Sequence, residues 1–112
     1  MKKIEVILRP ESADAVRKAL GEAGVTGLTV SEIEGHGKQK GVVQQWRGER
    51  YKVELLPKAR IEIIVKDMDV ERISRVVVDS ARTGEIGDGK IFIYPVDNVI
   101  RIRTGEIGES AL

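Results

Sequence analysis

Apolar and charged residues alternate in two stretches of the chain, 4–8 and 61–65, which is the spacing of a half-buried β-strand. The stretches 28–33 and 90–94 have the same strand-like character, and a short last strand is predicted over 99–102. Within 28–33 the apolar phase shifts, so a bulge or a bend is expected there.

Two other stretches repeat their apolar residues at the three- and four-residue spacing of an amphipathic helix. The first helix is predicted after Ser12 and the second after Asp69, since both residues are common N-caps. The apolar stripes of the two helices are Ala13, Val16, Leu20 and Ala23, and Val70, Ile73, Val77 and Ala81.

The order of elements is strand–helix–strand, a long loop over about 36–54, then strand–helix–strand again. This order predicts an α+β fold, the ferredoxin-like βαββαβ sandwich, with both helices on one face of the sheet. Ile7 and Ile64 are out of phase with the core positions and therefore belong to the open face. An apolar patch on that face indicates self-association.

The chain has 112 residues, which suits one domain over 1–112. Lys and Arg number 19 against 18 Asp and Glu, so the net charge of +1 gives no general attraction to nucleic acid or to a membrane surface. The absence of cysteine excludes disulfides and thiolate chemistry. Since we find no signal-peptide pattern and no apolar run near the ~20 residues of a membrane span, we expect a cytoplasmic protein.

Three segments are candidates for anion binding. Glycines and a lysine over 84–90 could bring backbone N–H groups and a positive charge to a phosphate, although an ordinary tight turn explains them as well. Arg101 and Arg103 would share one face of the last strand and could grip phosphates, or simply lie in solvent. The basic, glycine-rich stretch 35–41 is a third candidate, with a hinge as its alternative.

The hexapeptide Arg-Thr-Gly-Glu-Ile-Gly occurs twice, at 82–87 and at 103–108. The two copies are either similar turns that use similar residues or two segments that face one ligand. We find no catalytic set: His36 is the only histidine, and the sequence shows neither a Ser/His/Asp arrangement nor an obvious carboxylate pair in a glycine pocket. An enzyme is therefore not expected.

Taken together, these segments resemble the PII family of nitrogen-regulatory signal transducers over essentially the whole chain. Arg-Gly-Glu-Arg-Tyr at 47–51 is similar to the family's loop motif, and Thr-Gly-Glu-Ile-Gly-Asp-Gly-Lys-Ile-Phe at 83–92 fits its second motif. The segments 56–58, 60–63 and 100–106 match in order and spacing. The resemblance implies a homotrimer with three functional loops, over about 36–54, 82–90 and 101–112.

The resemblance also implies an ATP or ADP site between subunits. Thr29, Glu62 and Ile64 match positions that hold the adenine end of the nucleotide. Arg101 and Arg103 match arginines that reach the phosphates across the subunit boundary. The phosphate loop and the base of the long loop correspond to two further groups, Gly87, Asp88, Gly89 and Lys90, and Gly37, Lys38 and Gln39.

A second effector, 2-oxoglutarate, is implied together with Mg-ATP. Gln39 matches the Mg²⁺ ligand, and Lys58 matches the lysine that pairs with a 2-oxoglutarate carboxylate. Lys40 and Gly41 close over the effector with their backbone, and Gly87 lies beside it. Because ATP phosphates and 2-oxoglutarate repel each other, Mg²⁺ supplies the charge between them.

The loop over 36–54 would carry the signal to an ammonium transporter, which would be the protein's only link to a membrane, or to nitrogen-assimilation enzymes or regulators. Tyr51 matches a tyrosine that is modified in some members, whereas Glu49 replaces a serine that is phosphorylated in others. The alternatives are a PII-like paralogue for another effector, a slow ATP-hydrolysing protein, and a bare oligomerisation or RNA-binding module. Near-zero net charge argues against RNA.

Overall fold

A computed structural model describes residues 1–36, 43–46, 49–52 and 55–112, with side chains over 1–34 and 56–112. A four-stranded antiparallel sheet in the order β2-β5-β1-β6 forms one layer, and two helices form the other. A separate two-stranded ribbon pairs β3 with β4. The elements are β1 (Lys2–Leu8), α1 (Ala13–Glu22), β2 (Thr29–His36), β3 (Val43–Trp46), β4 (Glu49–Lys52), β5 (Leu55–Val65), α2 (Val70–Ala81) and β6 (Gly89–Pro95). This is the predicted ferredoxin-like α+β arrangement.

The core lies between the helices and one face of the sheet. Alternate residues of the two central strands, β1 and β5, are buried because successive side chains of a strand point to opposite faces. Each helix contributes two buried residues at four-residue spacing, Val16 and Leu20 from α1 and Ile73 and Val77 from α2. The apolar stripes predicted for the two helices therefore pack on one face of the sheet, as predicted.

The helix caps differ from the prediction. A single 3-10 turn precedes each helix, over Pro10–Ser12 and Asp67–Asp69, and neither Ser12 nor Asp69 makes a side-chain cap hydrogen bond. Asp69 instead accepts a hydrogen bond from Arg72 at 3.4 Å. The turn places both capping residues in helical backbone conformation, so their side chains do not fold back over the first turn.

The strands beside the long loop extend further than the sequence pattern predicts. β2 and β5 pair from Thr29–Glu62 to His36–Leu55 without a break in register, so the expected bulge is absent. The ribbon β3–β4 also lies within the stretch predicted as irregular. Backbone pairing uses N–H and C=O groups that nearly every residue carries, so it can continue where side chains show no alternation.

The predicted last strand over 99–102 does not form. Among the described residues, only one isolated bridge, Ile100–Ile107, remains there, and it closes a turn of the same segment. The sheet of the described residues, β2-β5-β1-β6, does not include this segment, and the Ile102 side chain is 98% exposed.

The open face of the sheet is mixed in character, as predicted. Ile7 and Ile64 lie on this face, because their strand partners Arg60 and Lys3 are polar residues of the same face. Phe92 and Tyr94 of β6 add aromatic surface, and each is 42% exposed. In the described part of the chain, no helix is long and apolar enough to cross a membrane.

Candidate functional site

A cleft of 720 Å³ runs along the β2 side of the sheet and contains the predicted adenine-binding residues Thr29, Glu62 and Ile64. Thr29 and Glu62 are direct cross-strand partners in β2 and β5, so their side chains point the same way. Tertiary structure therefore brings these three predicted residues together. The wall of the cleft also includes Lys3, Gly27, Val99, Ala111 and Leu112.

Glu62 belongs to a network of charges on the open face. The Nζ atom of Lys3 lies 2.7 Å from Glu62 and 3.6 Å from Glu5, whereas Arg60 lies 4.0 Å from each carboxylate. The hydrogen bond from Lys3 lowers the pKa of Glu62, and the same contact raises the pKa of Lys3. Glu62 is therefore held as a carboxylate that can accept hydrogen bonds.

The glycine-rich segment forms a turn centred on the Asp88 carboxylate. Asp88 accepts hydrogen bonds from the backbone N–H of Thr83 at 2.8 Å, from the Thr83 hydroxyl, and from the Gly84 N–H at 2.9 Å. These bonds, that of the Thr83 hydroxyl foremost, lower the pKa of Asp88 to about 2. The Asp88 side chain thus organises the loop from within.

Arg9 supports the same turn from the end of β1. Its guanidinium donates a hydrogen bond to the Ile86 carbonyl, and its Nε atom lies 3.6 Å from Asp88. Gly87 and Gly89 have φ angles of 103° and 113°, a region that favours glycine. The turn is therefore fixed by an internal carboxylate, an arginine and two left-handed glycines.

The predicted phosphate residues Asp88, Gly89 and Lys90 line a second cavity, of 310 Å³, between β1, β6 and the end of α2. Lys90 is exposed, and no carboxylate of the described residues lies within ion-pair distance of it. This cavity is at the β6 edge of the sheet, whereas Thr29 lies on the β2 edge, three strand spacings or roughly 14 Å away. Within one chain, the predicted adenine-binding residues and the predicted phosphate-binding residues therefore lie at separate places.

The two predicted arginines differ in their surroundings. Arg101 donates to Glu106 at 2.8 Å and contacts the backbone carbonyls of Ser110 and Leu112 at 3.5 and 3.4 Å. Arg103 is exposed, and it has no ion-pair partner in the described part of the chain. Because no strand forms here, the expected shared strand face does not position this pair.

Both copies of the repeated hexapeptide share one local hydrogen bond and one glycine conformation. The hydroxyl oxygens of Thr83 and Thr104 each accept a hydrogen bond from the N–H two residues later, at 3.2 Å in both cases. The following glycines, Gly84 and Gly105, have φ angles of 88° and 73°. The copies differ in their other bonds, because the Gly84 N–H donates to the Asp88 carboxylate and the Gly105 N–H donates to the Arg101 carbonyl.

Several predicted residues lie outside the described residues. These are the loop-base positions Gly37, Lys38, Gln39, Lys40 and Gly41. Tyr51 lies in β4, where only the backbone is described. Lys58 is in β5, opposite Ile33, and its side chain is buried at 7% exposure.

No resident metal site is present among the residues that the structure describes, where no group of three or more His, Asp or Glu side chains could hold an ion. The predicted Mg²⁺ ligand, Gln39, is outside that part of the chain. The described residues therefore offer no metal-binding set of their own.

Two residues of the site were missed by the sequence analysis, Lys3 and Arg9. Strand alternation places Lys3 on the open face, but only the register of β1 against β5 puts it next to Glu62. Arg9 carries no sequence signal, because it follows the last regular position of β1 and reaches a loop nearly 80 residues away.

Comparison with known proteins agrees with this architecture. The family model "Nitrogen regulatory protein P-II" matches residues 1–106. The chain is 54% identical to "Nitrogen regulatory protein P-II" of Synechocystis sp. and 50% identical to the protein of that name from Pasteurella multocida, over the full length of all chains. It is 52% identical to "Nitrogen regulatory protein P-II 2" of Methanothermobacter thermautotrophicus, over 100% of this chain and 97% of that one. The chain therefore belongs to the nitrogen regulatory protein P-II family and is a nitrogen-regulatory signal transducer.

Proposed function

We propose that this protein is a homotrimeric sensor that binds ATP or ADP between subunits and 2-oxoglutarate together with Mg-ATP. The observation that carries the proposal is the position of the two half-sites. The cleft with Thr29 and Glu62 is on one edge of the sheet, and the glycine-rich turn with Lys90 is on the other. A head-to-tail contact between subunits brings opposite edges together, and it forms a closed ring when the rotation between neighbours divides a full turn, as three subunits at 120° do.

In this arrangement the adenosine end of the nucleotide lies in the 720 Å³ cleft of one subunit. The phosphates reach the glycine-rich turn of the next subunit, where Lys90 is exposed and has no carboxylate partner among the described residues. Arg103 supplies a second cation, and Arg101 joins it when a phosphate displaces Glu106. Cations in charge-assisted hydrogen bonds to phosphate contribute roughly 1.5–3 kcal/mol each.

Mixed trimers test whether the site is shared between subunits. Lys90→Gln weakens the phosphate half, and Glu62→Gln weakens the adenosine half. Any trimer that contains both variant chains has one boundary where the intact halves meet, so we expect mixing to restore one tight ATP site per mixed trimer. Titration calorimetry counts these sites, and native mass spectrometry establishes the trimer.

A site contained in one chain would give a different result, because every chain in the mixture carries one defect and no tight site would reappear. Lys18→Gln, an exposed charge change on α1, is the matched control and should bind ATP like the parent. Failure of the parent protein to bind ATP would refute the proposed function itself.

The proposed effector site for 2-oxoglutarate combines Lys58, Gln39, and the backbone at 40–41 and at Gly87. When bound, Mg²⁺ would neutralise the repulsion between the γ-phosphate and the 2-oxoglutarate carboxylates. Calorimetry should detect 2-oxoglutarate binding with Mg-ATP present and not with ADP. Binding of 2-oxoglutarate that is equal with ATP and ADP would contradict this part of the proposal.

We infer that the segment over 36–54 carries the signal to a target, an ammonium transporter or a nitrogen-assimilation enzyme or regulator. Tyr51 lies in β4 of the ribbon within this segment. Pull-down of the target from native cells, with and without 2-oxoglutarate, tests the interaction. An added nucleotide mass on the intact protein under nitrogen limitation would identify Tyr51 as a modification site once peptide mapping places it.

A further inference from the structure

Lys3 lies in the nucleotide cleft and makes the shortest ion pair of the open face, 2.7 Å to Glu62. It stands on the central strand β1, diagonal to Glu62 on β5, because its direct partner there is Ile64. Both side chains remain about 30% exposed, so a ligand in the cleft can reach the carboxylate.

The other groups around Glu62 do not replace this contact. Glu5 is its direct cross-strand partner, and two carboxylates in that position repel each other. Arg60 lies 4.0 Å from both carboxylates, beyond hydrogen-bond distance. Tyr94 donates to Glu5 at 3.4 Å and lies under Lys3, whose Nζ is 5.4 Å from the ring centre.

Tyr94 and Lys3 therefore make their shortest contacts with different carboxylates. The Tyr94 hydroxyl bonds Glu5, whereas the Lys3 ammonium group lies nearer to Glu62, at 2.7 Å, than to Glu5, at 3.6 Å. Without Lys3, Glu62 would have a negative neighbour, one distant guanidinium and freedom to rotate.

We propose that Lys3 is a positioning residue of the nucleotide site, which orients the Glu62 carboxylate as the acceptor for hydrogen-bond donors on the adenosine end of the ligand. The inference rests on the proposed function and deepens it. The donors are the exocyclic amine of adenine or the ribose hydroxyls, which share the property of donating to a carboxylate.

The pH dependence follows from the sign of the pKa shift. Lys3 lowers the pKa of Glu62, so in the parent protein the carboxylate stays ionised as the pH falls through the usual carboxyl range. When Lys3 is neutralised, Glu5 repels the charge on Glu62 and the pKa of Glu62 rises. The loss of affinity in the variant should therefore grow as the pH is lowered.

The test measures ATP affinity by calorimetry for Lys3→Gln, Glu62→Gln, and the double variant, with Lys18→Gln as the charge-matched control. We expect Lys3→Gln to weaken binding on the order of tenfold, as expected for a disturbed hydrogen bond to a charged group. In the Glu62→Gln background, Lys3→Gln should have little further effect, because the residue on which it acts is gone. Lys3→Arg, which keeps the charge, should recover most of the affinity.

The ratio of affinities of Lys3→Gln and parent should also widen as the pH is lowered from about 7.5 into the usual carboxyl range, and the titration of ATP itself cancels in that ratio. A comparison of ATP with 2′-deoxy-ATP and GTP identifies the donor. For a nucleotide that lacks the group bound by Glu62, Lys3→Gln should no longer weaken binding.

Two outcomes would overturn the proposal while the parent still binds ATP. Equal effects of Lys3→Gln with and without Glu62 would mean that Lys3 acts directly on the ligand. Unchanged affinity with a lower melting temperature, or weaker binding that accompanies loss of the trimer in native mass spectrometry, would mean that Lys3 only stabilises the fold or assembly. A parent protein that binds no ATP refutes the proposed function instead.

Discussion

Replacing Gly89 with alanine tests how tightly the glycine-rich turn is bound to the sheet. Gly89 starts β6 opposite Leu8, with a φ of 113°. A β-carbon there would lie 1.8 Å from the Ile7 carbonyl oxygen, far inside the 3.0 Å that β-carbons keep from other atoms. Since β1 is paired on both sides, β6 must move away from it.

Gly84 in the same turn is the matched control, because it also has a positive φ, 88°, but its β-carbon would meet no atom within 4 Å. The backbone strain of Gly84→Ala costs about 1–2 kcal/mol and is partly offset by the lower entropy of the unfolded chain, which leaves about 1 kcal/mol. Gly89→Ala has the same strain and also loses about two hydrogen bonds of the ladder. The expected loss is about 2–4 kcal/mol.

Urea unfolding followed by circular dichroism gives both values, at one protein concentration because assembly shifts the apparent stability. Gly89→Ala should also bind ATP much more weakly, since Lys90 moves with the strand. Equal destabilisation by the two variants would refute the reasoning, because it would show that β6 tolerates the clash.

Three further predictions concern the core and the turns. Leu20→Ala, at a site with 0% exposure, should lower the free energy of unfolding in urea by about 2–5 kcal/mol. Ile102→Ala, at 98% exposure, is the control and should lower it much less, and similar losses would place Leu20 outside the core. The stability that Asp88 supplies, with its pKa near 2 instead of 3.8, should be complete above pH 4 and decline as the pH falls towards 2. Asp88→Asn should flatten this acid decline in unfolding midpoints, and an unchanged profile would contradict the assignment. Thr83→Val should increase hydrogen exchange in its turn more than Thr104→Val does in the other. The Thr83 hydroxyl anchors the Asp88 carboxylate, which also accepts two backbone N–H groups, whereas the Thr104 hydroxyl bonds the Glu106 carboxylate, which accepts from the Arg101 side chain; equal effects would exclude this difference.

The sequence alone predicted the two helices, the four sheet strands and the ferredoxin-like order, because burial of one face leaves a periodic pattern in the chain. It also identified the family, and it singled out Thr29 and Glu62, which the structure places side by side. The repeated hexapeptide was visible as well, and its copies share the hydrogen bond between the threonine hydroxyl and the N–H two residues later, because that bond is local.

Tertiary structure decided what depends on neighbours distant in the chain. Alternation over 99–102 predicted a strand, yet none forms, because a strand needs an adjacent partner as well as a pattern. Ser12 and Asp69 looked like caps, but the preceding 3-10 turns set their backbone angles. The partnership of Lys3 with Glu62 joins residues almost 60 positions apart, and only the register of two strands brings that ammonium group and carboxylate within hydrogen-bond distance.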